Sequence, residues 1–129
     1  MRTAIRLANG IGAKVALIDQ NIQLTLQKLK KNLTWKEKIR FISDIFKAPF
    51  QKKIRIDLNK VPKQEVINKL IKDTKSRYPS VYKILVEERN YIMAKNLNKI
   101  IKNNPTKKII AIVGAGHEEA ILNLVKQWN

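Results

Sequence analysis

Two short apolar runs constrain this chain more than anything else in it. Residues 13–18 are apolar except for Lys14 and sit between Gly12 and Asp19, while residues 109–113 are apolar throughout and stop at Gly114. Runs of this length with such flanks read as buried strands. Everything around them repeats at helical spacing, so the expected order is helix, strand, several helices, strand, helix. Strands apolar on both faces imply a parallel pair covered on both sides, which predicts an α/β fold. Two strands do not make a stable open sheet, and each leaves an edge of unpaired backbone groups. The reading is therefore an incomplete sheet, completed by oligomerisation or by a partner chain. The competing reading takes a third strand from Ile54 to Ile56, between Pro49 and Pro62.

The helices are legible from their stripes and stops. Residues 2–9 predict a short helix ended by Asn9 and Gly10, and Ile22, Leu26, Leu29 and Leu33 mark a second. Thr34 followed three residues on by Glu37 makes a capping box ahead of Ile39, Ile42, Ile45 and Phe46. Val66, Ile67, Leu70 and Ile71 form one stripe, with Pro62 placed to sit in that helix's first turn. After a break at residues 77–79, a longer helix runs from Val81 to about Lys102 and ends at Asn103, Asn104 and Pro105. His117 to Trp128 closes the chain as a last helix.

At 129 residues the chain is one domain, 1–129, with enough length to fold without staples. It has no cysteine, which excludes disulfides, thiolate nucleophiles and iron–sulfur clusters, and a single histidine, which excludes a two-histidine metal cage built by one copy alone. No signal-peptide pattern and no run near the ~20 apolar residues of a membrane span is present, so a cytoplasmic location is expected. Lys and Arg number 27 against 10 Asp and Glu, a formal charge of +17. The densest stretch, residues 28–60, reads either as a polyanion footprint or as a solvated lysine-rich surface. The preference for Lys, the 6% aromatic content and the lack of any helix-turn-helix, RRM or KH signature argue against specific nucleic-acid recognition.

Three constellations could carry chemistry. Gly114-Ala115-Gly116-His117 sits where the second apolar run turns into a helix, the rim at which open α/β sheets bind ligands. It is a poor dinucleotide fingerprint, because Glu119 stands where a small residue is needed and two acids would crowd a pyrophosphate. Read blandly, His117 is structural. Asp19 follows the first run on the same rim, either as an N-cap or as a ligand. Glu88 lies on the apolar stripe of its helix, four residues after Ile84 and four before Ile92. A carboxylate there needs a partner, and neighbouring Arg89 cannot face it. It is therefore either a metal or substrate carboxylate or half of an ion pair with another element.

At these residues the sequence resembles the TraB family, which includes PrgY and GumN proteins and is related to the Tiki, ChaN and erythromycin esterase-like domains. The matching stretches are residues 13–22, Thr25-Leu26, Trp35 to Lys38, residues 87–94 and residues 113–117. The resemblance implies a metal-dependent hydrolase or peptidase in which two G-x-x-H elements and an early glutamate gather a divalent metal, and a link to pheromone shutdown. It assigns His117 and Asp19 to the metal, Glu88 and Arg89 to catalysis, and Gly114 and Gly116 to cofactor binding. Only one G-x-x-H element is present, and the usual I-D-R-D and E-R-D read Ile18-Asp19-Gln20-Asn21 and Glu88-Arg89-Asn90. The expectation is thus a carboxy-terminal half of the domain, active only with a separately encoded amino-terminal half or as a homo-oligomer. The alternative is a noncatalytic basic binding or assembly module.

Overall fold

In the computed structural model, residues 2–47 and 64–128 are described, and among them every regular element is a helix. They are α1 (Arg2–Gly10), α2 (Ile22–Asn32), α3 (Trp35–Lys47), α4 (Gln64–Arg77), α5 (Pro79–Tyr82), α6 (Glu88–Asn103) and α7 (Glu118–Gln127). A π turn, Lys83–Glu87, joins α5 to α6 without a break. This overturns the expected α/β fold. Residues 13–18 and 109–113 lie where the apolar runs predicted strands, but neither belongs to a ladder, and no parallel sheet exists among the described residues. The reason is burial. Val15, Leu17, Ile110 and Ile112 are exposed rather than sandwiched, so the apolar pattern was not matched by the covering layers a parallel sheet requires. Only the ends of the two runs are used: Ile18 and Val113 pack on the cluster of Met93, Ala94 and Ile121, with Leu97, Leu124, Val125 and Trp128 around it. Ile54 to Ile56 and Pro62 lie outside the described residues.

Local stops follow the chemistry of the chain. After α1, Ala13 N–H donates to Ala8 O at 2.9 Å and Gly12 N–H to Asn9 O at 3.2 Å, with Gly12 at φ 67°. That is a Schellman ending, so the left-handed residue is Gly12 rather than Gly10. Asn21, not Asp19, caps α2, its side chain accepting from Gln23 N–H at 2.8 Å. The capping box of α3 forms in full, with Glu37 N–H donating to Thr34 Oγ1 at 3.2 Å and Thr34 N–H donating to Glu37 Oε2 at 3.0 Å. Pro79 opens α5 in the first helical turn, where its missing N–H is no loss.

Glu37 goes further than its cap. Its other oxygen, Oε1, accepts from Ser80 N–H at 2.7 Å, so one buried carboxylate closes the N-termini of α3 and α5 together. Asp44, two turns along α3, accepts from Arg77 and from the Tyr78 hydroxyl at 2.6 Å, and Arg40 donates to the Arg77 carbonyl. Helix α6 packs on α7, and the π turn packs on α2. These contacts fix α6 as the spine on which the polar cluster is built.

Candidate functional site

Three consecutive residues at the start of α6 reach three different parts of the chain. Glu88 goes to α2, where Lys28 Nζ lies 2.5 Å from its Oε2. Arg89 goes to the loop before α2, its Nε donating to Asp19 Oδ1 at 3.2 Å and its Nη2 to Oδ2 at 2.5 Å. Asn90, nearly buried, goes to the loop before α7, its Oδ1 lying 2.6 Å from His117 Nδ1. Consecutive helical residues point about 100° apart, so a run of three polar side chains fans out across most of a turn. That fan, and not a shared face, is what lets E-R-N tie Lys28, Asp19 and His117 to one helix end.

The loops are held so that these contacts are possible. Asn96 Nδ2, two turns further along α6, donates to Ile18 O at 2.8 Å and pins the chain just before Asp19. On the other side Val113 is packed on the core, and His117 N–H closes the glycine turn by donating to Gly114 O at 2.9 Å. A β-carbon on Gly116 would lie 3.5 Å from Ile71 Cδ1, so the turn rests on the stripe of α4. Gln20 Nε2 donates to the buried Thr25 hydroxyl at 2.8 Å, which orders the approach to α2.

The electrostatics of the site favour a charged Asp19 and a neutral His117. Hydrogen bonding from Arg89 holds the Asp19 carboxyl below its usual range, and the same pair raises Arg89. Burial pushes the His117 imidazole below its ordinary 6.5, and the Arg89 charge adds to this while Asp19 opposes it. As Asn90 is oriented, its amide oxygen accepts from Nδ1 of His117, and in the neutral ring that burial favours, Nε2 then keeps its lone pair. No described residue hydrogen-bonds Nε2. A cleft of ≈ 260 Å³ is lined by Tyr82, Asn90, Ala115, Gly116 and Asn123, among others, without His117 itself.

The residues singled out in the sequence therefore divide. Asp19, Arg89 and His117 are brought together, with Asn90 as the link that sequence reasoning passed over. Its only signal was a carboxamide immediately after Glu88-Arg89. Glu88 is diverted to Lys28, the ion-pair reading of that carboxylate, and its side chain is 30% exposed rather than sunk in the core. Gly114 and Gly116 shape the turn that carries His117. The divalent metal implied by the resemblance does not fit these residues by themselves. No group of three His, Cys, Asp or Glu able to hold an ion occurs among the described residues, and both oxygens of Asp19 are taken by Arg89.

A TraB/PrgY/gumN family model matches residues 1–128. The chain belongs to the TraB/PrgY/gumN family. The match takes in essentially the whole chain. An uncharacterised protein of Methanocaldococcus jannaschii, MJ1365, is 35% identical over 130 residues, covering 98% of this chain and 32% of its own length. The TraB-family chain thus spans about a third of the curated relative it matches. No solved structure matches it. No described helix is long and apolar enough to cross a membrane.

Proposed function

We propose that this TraB-family chain supplies one wall of a hydrolytic site, with His117 as its proton acceptor and Arg89 as its anion-binding group. The observation that carries the reading is the Asn90–His117 contact, which orients the ring with Nδ1 toward the Asn90 amide oxygen, while burial favours the neutral imidazole and no described residue hydrogen-bonds Nε2. A neutral imidazole held in one tautomer is the form that takes a proton from water in general-base hydrolysis. The guanidinium, fixed in orientation by Asp19, is near enough to the imidazole for its charge to lower the ring's pKa, and it serves to attract a developing oxyanion. Glu88 acts at one remove, by docking α2 on α6 through Lys28.

A second polypeptide, or a second copy of the chain, supplies the groups this wall lacks. The support is the small core: four apolar side chains are buried among the described residues, against nineteen large exposed ones. No catalytic step is assigned to a metal. If a divalent ion takes part, His117 Nε2 is the donor this chain offers, and the remaining ligands come from elsewhere.

The test is hydrolysis of chromogenic esters and peptides by the chain purified with the polypeptide it binds in its own cells. His117→Gln and Arg89→Gln are expected to lower kcat/KM by about 10² or more, with complex formation unchanged. Undiminished turnover by His117→Gln in that complex would falsify the reading.

A further inference from the structure

Helix α3 is mounted inside out. Among the described residues, its polar side chains Glu37, Arg40 and Asp44, spaced three and four apart, make the hydrogen bonds that tie it to the segment after α4: to Ser80, to the Arg77 carbonyl, and to Arg77 and Tyr78. Trp35, Ile39, Ile42 and Phe46 recur at four, three and four residues on the other side of the same helix. They are 78%, 64%, 55% and 74% exposed, and Ile45 beside them is 56% exposed. No described residue covers this stripe.

Within α3 and the end of α2, the charges left beside the stripe have one sign. The two acids of α3 are both turned inward, Glu37 fully buried and Asp44 paired with Arg77. What remains beside the apolar face is Lys36, Lys38 and Lys47, with Lys30 and Lys31 ending α2 just before it. Lys38 Nζ sits 4.9 Å from the centre of the Trp35 ring, a cation held at an aromatic edge of the patch.

Two of the possible occupants fit poorly. A second copy would bring another +17 against this one. A protein groove offers hydrogen-bonding partners and is depleted in lysine at its contact, whereas this face pairs bare aromatic and branched aliphatic side chains with lysines alone. Aromatic and aliphatic side chains rimmed by lysine are the composition of a helix lying in the plane of a charged lipid interface. We propose that α3 is a docking helix for an anionic lipid surface, inserting Trp35, Ile39, Ile42 and Phe46 among the acyl chains while the lysines meet the headgroups. Helix α3 is then held to the protein by Glu37, Arg40 and Asp44 in the same position in which it meets the membrane. The proposal uses none of the hydrolytic site's residues, Asp19, Arg89, Asn90 and His117.

The test is co-sedimentation of the full chain with phosphatidylcholine vesicles with and without phosphatidylglycerol, together with the fluorescence of Trp35 in a Trp128→Phe background. Binding to the anionic vesicles alone, a blue shift of Trp35 and quenching by brominated acyl chains are expected. Binding should weaken at least tenfold between low and moderate salt. The double substitution Ile42→Ser and Phe46→Ser should weaken it at least tenfold with an unchanged far-ultraviolet circular dichroism spectrum. If those variants fail to fold, quenching of Trp35 in the unsubstituted stripe still decides the matter. Equal binding to neutral vesicles, or Trp35 left unquenched on bound protein, overturns the proposal. So does a soluble dimer that the two serines dissociate, which would make the stripe a contact between copies.

Discussion

Glu37 shows how much one residue can organise. Burial pushes its pKa up, but hydrogen bonds from Ser80 and Thr34 together outweigh burial and take it from 4.5 down to about 2. A carboxylate with a depressed folded pKa stabilises the fold fully above its unfolded value and loses that contribution as pH falls through the folded value. The melting temperature should therefore decline between pH 4.5 and about 2 in the native chain, with a flatter profile in Glu37→Gln. Glu37→Ala, which abandons two helix N-termini at once, should cost about 2 kcal/mol in urea denaturation at pH 7. His117 offers a second readout, because it is the one histidine in the chain and its imidazole signals are unambiguous. Nitrogen-15 spectra should show Nδ1 protonated and titration below the ordinary 6.5, and Asn90→Asp, which sets a negative charge against the ring, should move that titration upward. An Nε2-protonated tautomer in the native chain would remove the basis for the base role.

At the scale of elements, helix stops were readable because they depend on neighbours within five residues. Thr34 with Glu37, and the stop at Asn103 and Asn104, came straight from spacing, and α6 ends at Asn103 with Asn104 as its C-cap. Helix α1 ends at Gly10 as expected, but of the two glycines within reach it is Gly12 that takes the left-handed conformation, which only the hydrogen bonding of the Schellman turn selects. Gly12→Ala meets open space but a positive φ, so it should destabilise by about 1 kcal/mol while Gly10→Ala does not. Denaturant midpoints of the two variants make the comparison. The π turn was invisible for the opposite reason. A period-3.6 pattern through Ile84, Glu88 and Ile92 assumes one continuous register, and the Glu88 N–H donates five residues back, to Lys83 O. That wider turn resets the phase, so Asn90, Met93 and Ala94 face inward while Glu88 swings to Lys28.

At the scale of the whole molecule, the balance of charge and burial sets the behaviour to expect. With +17 distributed over a small core, self-repulsion opposes the compact state, and the Debye length falls to about 10 Å at 0.1 M salt. Raising salt from about 20 to about 300 mM should therefore raise the melting temperature by several degrees, measured by circular dichroism. A melting point unchanged by salt would mean that the charges are already matched in the folded chain. The nineteen exposed large apolar residues also account for the failure of the strand reading. An apolar run records that a segment avoids water somewhere, but it does not record which surface covers it.

The sequence by itself determined the positions of the helices, the capping box at Thr34, the glycine turn before His117 and the excess of positive charge, because each depends on residues close together in the chain. The family resemblance was legible for the same reason, as short motifs in a fixed order. Tertiary structure alone decided that the apolar runs form no sheet, that Asp19 is held by Arg89 across seventy residues and that Asn90 orients His117. It also decided that α3 turns its acids inward and its tryptophan outward. Those outcomes depend on which surfaces meet, and a helix with one polar and one apolar face satisfies its own hydrogen bonds equally well whichever face it buries.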